Sequence, residues 1–357
     1  MPFISPAIMT SPAQRKPVRA LSLTALAVTA AFLVTGCSSG SDAAESDGDF
    51  GKLNVQLSWV KDVEFAGEYM ADANGYYEEG GFSSVNLIAG PGATESLVAS
   101  GQALIGITDP ISAAPAIINE GAPIKIIGTT YQKNPFSILS LGDKANIQTP
   151  EDLIGKRIGV QAGNETLFSA LLAANDIEES EVTVVPVQYD PSPLVNGDVD
   201  GFLAYVTNES VTLEMQGYDV QNLTYADNGL PFVTESYIAA DDSIENNRDA
   251  LEAFLYASIL GWQDALADHQ ASADLTVEDY GSTLGLDPAK QLRQAQATES
   301  LIVTEETEAN GLFTISDELL AQNLETIAAT GVTITADELF DLSILDDVYA
   351  AHPELLN

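Results

Sequence analysis

The chain reads as an α/β protein of two lobes, each a mostly parallel sheet flanked by helices, with a cleft between them. Three observations predict this. From Leu53 onward, short apolar runs alternate with segments whose apolar residues fall at helical spacing; the alternation repeats about every twenty residues; and two extended stretches, 136–141 and 236–240, bracket a middle unit of the same kind. A chain of 357 residues, 45% hydrophobic and 18% charged, can build cores of that size.

The elements follow in order. Residues 53–57 read as a first strand, and Phe65, Ala66, Tyr69, Met70 and Ala73 as a helix stopped by Gly75. Residues 104–108 are a short buried strand, 111–118 a helix stopped by Gly121, and 124–130 another apolar strand. Thr149-Pro150-Glu151-Asp152-Leu153 reads as a helix start, with a capping Thr, Pro in the first turn and two acids near the positive end of the dipole. The second unit runs through strand 157–160, helix 166–174, strands 182–187 and 201–205, and helix 209–216. After 236–240 the pattern becomes helical throughout. Leu251, Phe254, Leu255, Ser258, Ile259, Trp262 and Leu266 form one continuous face. The expected organisation is a first lobe from 52–138 and 239–357, discontinuous in sequence, and a second lobe, 139–238, inserted into it. Two crossings of extended chain would make a hinge, and ligands in such lobes collect at the carboxyl ends of strands.

The first fifty residues carry an address. Arg15, Lys16 and Arg19 precede an apolar run ending Leu33-Val34-Thr35-Gly36-Cys37, and Ser38-Ser39-Gly40-Ser41 follows. The run is shorter than the ~20 residues of a membrane span and ends in small side chains, as a cleaved secretory leader does. The sequence around Cys37 resembles a bacterial lipobox. On that resemblance, 1–36 is a signal peptide, Cys37 is the lipidated mature N-terminus, and 37–51, rich in Ser, Gly, Asp and Glu, is a flexible tether to the outer face of the cell membrane.

Charge and composition exclude several functions. With 13 Lys+Arg against 53 Asp+Glu the formal charge is −40, a field that repels nucleic acid. The leader contains no acid, so the mature chain would carry 10 basic and 53 acidic side chains, most simply a solvated acidic surface. One cysteine and two histidines, His269 and His352, provide no disulfide framework, zinc site or iron–sulfur cluster, and no metal or cofactor is expected. No Ser-His-Asp arrangement or dinucleotide fingerprint appears. Gly155-Lys156 lacks the glycine-rich phosphate loop that would precede it in a nucleotide-binding site.

Four strings carry a family resemblance. They are Leu57-Ser58-Trp59-Val60 with Ala66-Gly67-Glu68-Tyr69-Met70-Ala71; Ser100-Gly101-Gln102-Ala103 before the strand ending Thr108-Asp109; Asp152-Leu153-Ile154-Gly155-Lys156-Arg157-Ile158-Gly159-Val160; and Tyr205-Val206-Thr207-Asn208-Glu209. Together they resemble the type II periplasmic substrate-binding proteins of ABC transporters over most of 53–265. The Trp59 region, the Tyr-x-x-Asn-Glu string and Tyr225-Ala226-Asp227-Asn228-Gly229-Leu230-Pro231 are similar to the branch that binds thiamine pyrimidine precursors. The resemblance implies a monomeric, non-enzymatic receptor that hands a small molecule to a membrane permease and its ATPase. Eukaryotic members of this superfamily that make the pyrimidine carry a cysteine-rich motif, which this chain lacks.

A flat heteroaromatic ligand needs aromatic faces and hydrogen-bond partners around its edge in a water-poor cleft. Trp59, Tyr131, Tyr189 and Tyr205 each follow or end a predicted strand and are candidate faces. The alternative for each is core or rim packing, which Trp59 and Tyr205 favour less than Tyr131 and Tyr189 do. Glu209 is the polar candidate, since a carboxylate accepts from the amino group of an aminopyrimidine; alternatively it is only a first-turn acid facing a helix dipole. Asn208 would cap that helix or make a second edge contact, and Asp109 and Gln132 also follow strands. Between strand and helix, Gly163-Asn164-Glu165-Thr166 presents Asn164 and backbone amides, but Glu165 places a negative charge beside them, which argues against sulfonate or nitrate and for a neutral or amino-bearing molecule. Gly90-Pro91-Gly92-Ala93-Thr94 is a similar turn. Riboflavin is the alternative flat ligand, with sulfonate or nitrate third. An enzyme acting on a pyrimidine would have only Glu209 with Asp109 as an acid–base pair. The anchor has its own test: Cys37→Ser is expected to release the protein into the medium, whereas retention in the membrane fraction would remove the lipid assignment.

Overall fold

The computed structural model describes residues 50–356; the leader, Cys37 and most of the tether lie outside the described residues. Ten strands occur among them: β1 (Gly51–Gln56), β2 (Phe82–Ile88), β3 (Ile105–Thr108), β4 (Ile124–Tyr131), β5 (Phe136–Leu141), β6 (Arg157–Gln161), β7 (Thr183–Val187), β8 (Gly201–Tyr205), β9 (Val220–Thr224) and β10 (Thr234–Ala240). They form two five-stranded sheets, in the orders β2-β1-β3-β10-β4 and β7-β6-β8-β5-β9.

The two sheets repeat one topology. In the first, β1 lies parallel between β2 and β3, and β10 runs antiparallel between β3 and β4. In the second, β6 lies parallel between β7 and β8, and β5 runs antiparallel between β8 and β9. Each sheet thus has four strands in one direction and one reversed. The predicted parallel-rich α/β architecture is present, with helices flanking both sheets.

The reversed strands are the two stretches expected to connect the lobes as a hinge. Both are instead buried members of the sheets, every residue of β5 and of β10 being enclosed. The chain passes between sheets in the short segments 132–135 and 225–233. The reason is chemical: Phe-Ser-Ile-Leu-Ser-Leu and Thr-Glu-Ser-Tyr-Ile-Ala-Ala are too apolar to bridge solvent, and burial between two neighbours satisfies their backbone.

Two further expectations are corrected. The segment after Thr149 is a single 3₁₀ turn, Pro150–Leu153, and not a helix. Its cap is as expected, Asp152 Oδ2 accepting from the Thr149 amide at 3.0 Å. However, Ile154 turns extended and Gly155 takes φ +76°, sending the chain directly into β6. A cap fixes where a turn starts; the apolar face needed to prolong it is missing. Strands β2 and β9 escaped the sequence pattern because both are sheet edges, where Ser83, Ser84 and Asn86, or Gln221 and Asn222, face outward or half outward.

The core beneath the first sheet centres on the helix Arg248–Ala267, whose Leu251, Phe254, Leu255, Ser258, Ile259 and Trp262 are buried as their spacing predicts. It crosses the helix Ala66–Ala73 at a contact that admits no side chain: a Cβ on Gly261 would stand 2.2 Å from the Gly67 carbonyl oxygen, and one on Gly67 would stand 2.2 Å from the Trp262 ring. Inside this contact the buried Glu68 accepts from the Tyr237 hydroxyl at 2.5 Å and from Trp262 Nε1 at 3.3 Å. Gly261→Leu is therefore expected to destabilise the protein by about 1–3 kcal/mol through overpacking, read as a lower urea midpoint at unchanged slope.

Candidate functional site

Strand direction decides which side chains meet. The carboxyl ends of the parallel strands in both sheets converge on one cavity of about 310 Å³, near the lower bound of small-molecule sites. Because β5 and β10 are reversed, their amino ends lie at this same edge, so Phe136 and Glu235 enter the lining. The remaining walls come from Ser58 and Trp59 after β1, Asp109 after β3, Gln161 ending β6, Tyr189 after β7 and Tyr205 ending β8.

Of the sequence candidates, Trp59, Asp109, Asn164, Tyr189, Tyr205, Asn208 and Glu209 line this cavity. Three do not. Tyr131 is 1% exposed within the first hydrophobic core. Gln132 is turned away, Nε2 donating to the carbonyls of Thr314 at 2.8 Å and Thr129 at 3.3 Å. Glu165 is exposed and accepts from the Gly163 amide at 2.7 Å, so its own carboxylate occupies the donor that an anionic ligand would need.

The aromatic residues form two edge-on pairs. Trp59 and Tyr189, from opposite sheets, stand 4.8 Å apart between ring centroids at 63°. Tyr189 is 46% exposed, which puts this pair at the solvent side. Deeper in, Phe136 and Tyr205 meet at 4.7 Å and 83°. In edge-to-face contact the edge of one ring covers one face of the other.

Glu209 is a first-turn acid that also borders the cavity. It opens the helix Glu209–Met215 and accepts from the Tyr205 amide at 2.8 Å. Burial raises its carboxyl above the ordinary range. Asn208 accepts at Oδ1 from Lys290 Nζ at 2.6 Å, a tie from the helix Pro288–Ile302 that the sequence did not suggest. Asp109 caps the helix Pro110–Glu120 by accepting from the Ser112 amide at 2.8 Å, and burial pushes its carboxyl up to about 6.

The lining holds acids that sequence reasoning missed. Glu64, Glu95 and Glu235 join Asp109 and Glu209, giving five carboxyl groups and no Lys, Arg or His. Glu235 stands at φ +48°, a conformation a side chain rarely takes, and accepts from the Ser58 hydroxyl at 2.7 Å. Burial, then the adjoining charges of Glu235 and Asp62, holds Glu64 well above the usual carboxylate range. Burial likewise pushes Glu235 up to about 7. Glu95 accepts from the Thr108 hydroxyl at 2.6 Å. Among the described residues no cluster of His, Cys, Asp and Glu is arranged to hold a metal ion.

A family model described as NMT1/THI5 like matches residues 62–272. A riboflavin-binding protein, RibY, of Chloroflexus aurantiacus is 26% identical over 87% of this chain and 93% of its own. A formylaminopyrimidine-binding protein of Halalkalibacterium halodurans is 21% identical over 67% of this chain and 74% of its own. Among solved structures, the periplasmic aliphatic sulphonate binding protein SsuA of Escherichia coli superposes with a TM-score of 0.63 at 16% identity, covering 78% of this chain and 91% of its own, a likeness of fold.

The buried acids set a pH dependence. Glu235 and Glu68 bind a proton near pH 7 in the folded protein, both raised by burial, against an ordinary value of 4.5. The folded state therefore holds more protons than the unfolded one between these values, and the stability this contributes is complete below 4.5 and lost as pH rises through 7. The melting temperature is expected to fall between about pH 5 and about pH 8, less steeply in Glu68→Gln. An unchanged melting temperature across that range would contradict neutral buried carboxyls.

Proposed function

The chain belongs to the NMT1/THI5-like family, and on that basis we propose that it is the substrate-binding component of an ABC importer that captures a thiamine pyrimidine precursor, an aminopyrimidine, between its two sheets. One observation carries the reading. A cavity lined from both sheets by aromatic rings and five carboxyl groups, without a single basic side chain, suits a flat ligand rich in hydrogen-bond donors and repels an anion.

An aminopyrimidine presents an exocyclic amino donor beside a ring nitrogen, and the Glu209 carboxyl, with Asn208 beside it, lines the cavity just after β8. The rings of Trp59 and Tyr205 supply faces. Glu165, already bonded to the Gly163 amide, weighs against a sulfonate or nitrate. The likeness to the formylaminopyrimidine-binding protein supports the same ligand class.

Riboflavin is the second reading, favoured by the greater reach of the riboflavin-binding relative along this chain. Its ring edge offers chiefly acceptors, which a carboxyl-lined wall matches less well. In either case the protein works by enclosing the ligand. Contacts from both sheets favour a closed form, whose joint surface a permease with its ATPase would recognise. Anchoring through lipidated Cys37 on the outer face of the cell membrane, as a monomer, completes the proposal.

A thermal-shift screen of pyrimidines, flavins and sulfonates tests the ligand class. A ligand at a hundred times its dissociation constant adds ~2.7 kcal/mol of stability. An aminopyrimidine is expected to shift the melting temperature at lower concentration than riboflavin. By calorimetry, Glu209→Gln and Trp59→Ala should each weaken binding about tenfold or more, the loss of one charge-assisted bond or one ring contact. Wild-type affinity in both variants would place the site elsewhere.

A further inference from the structure

Within the cavity, Glu64 and Glu235 stand apart from the other acids. They are 7% and 6% exposed, come from different elements, and both line the cavity. Glu235 is held by the Ser58 hydroxyl and by its left-handed backbone. Neither carboxyl has a basic partner: the ion pairs among the described residues involve other acids.

The charged surroundings on every side point the same way. From the turn Val63–Phe65 and its cap come Asp62 and Glu64 itself; from the helix Ala66–Ala73, Glu68. Asp109 faces the pair from the end of β3, and Glu209 from the helix beyond β8. The phenols of Tyr131 and Tyr205 adjoin it and stay neutral, their ionisation opposed by burial. Lys290 acts on Asp62 and Glu209 and spends a donor on Asn208. A buried carboxyl pair without a counterion, opening into a cavity with aromatic walls, lacks one positive charge.

We propose that the cleft selects its ligand as a cation, an organic ammonium or protonated amino-heterocycle whose positive charge is met by the Glu64–Glu235 pair. The inference rests on the reading of this cavity as the ligand site and narrows the ligand class within it. Burial raises both carboxyls, that of Glu235 to about 7, so the pair carries negative charge above about pH 7 and loses it well below. A ligand with a fixed positive charge gains affinity as the pair ionises, and a neutral analogue does not.

Two probes separate these cases: an aminopyrimidine that carries an aminomethyl side chain N-formylated on that aliphatic amine, and the deformylated compound, whose aliphatic amine is an ammonium ion over most of this range. Their dissociation constants are measured by calorimetry on the mature protein at pH 6, 7 and 8. The affinity of the amine relative to the formyl compound is expected to rise about tenfold from pH 6 to pH 8, following the ionised fraction of a group titrating near 7. In Glu235→Gln the rise in the amine-to-formyl ratio is expected to vanish; circular dichroism checks that the variant is folded, and the wild-type comparison stands without it. Parallel pH profiles for the two compounds, or tighter binding of the formyl compound throughout, would overturn the charge selection and leave the pyrimidine reading intact. Binding of neither compound at any pH would overturn both.

Discussion

The reversal of one strand in each sheet is the constraint on which the rest depends. β10 runs against β3 and β4, and β5 against β8 and β9. A parallel sheet gathers loops from the carboxyl ends of its strands at one edge. Turning one strand around adds an amino end to that edge. Glu235 and Phe136, near or at the amino ends of their strands, thus reach a cavity otherwise built from loops after β1, β3, β6, β7 and β8. The same reversal lets the chain cross between sheets over four and nine residues, 132–135 and 225–233, so that the first sheet is completed only after the second has been built.

Acids are buried here in two different settings. Glu68 is enclosed in the core, where Tyr237 and Trp262 donate to one oxygen and the other has no partner, so the protonated form is favoured by burial alone. Its work is structural: it ties the helix Ala66–Ala73, β10 and the helix Arg248–Ala267 at their closest approach. Glu64 and Glu235 have similar burial but open into a cavity. Removing a carboxylate from water is costly unless a proton, a donor or a cation compensates. In the core a proton compensates below about pH 7; at the cleft, a guest molecule can take that place.

Most of the architecture was legible because its signals are local. Strand β8 and strand β5 carry short apolar runs with sharp ends, and the face of the helix Arg248–Ala267 repeats at helical spacing over its whole length. Edge strands β2 and β9 were illegible because their outward residues are polar, and the turn after Thr149 was overread because a good cap says nothing of length. The site divided along the same line. Trp59, Tyr205 and Glu209 follow strands that run in the common direction, and a rule about carboxyl ends finds them. It cannot find Glu235, whose strand is reversed, nor Glu64, which lies in a turn before a helix. The rule also admits Tyr131 and Gln132, which end β4 at the correct edge but turn into the core or toward Thr314. A left-handed non-glycine residue such as Glu235 has no signature in sequence, since the tertiary contacts that impose it are distant along the chain.

The loop Gly163-Asn164-Glu165 has a consequence outside the molecule. Its amide is satisfied internally by the Glu165 carboxylate at 2.7 Å. Inorganic sulfate, phosphate and nitrate commonly outnumber a scarce organic solute in natural waters, and each is attracted to unfilled backbone donors before a helix. The Glu165 carboxylate at that position leaves the Gly163 donor unavailable to them.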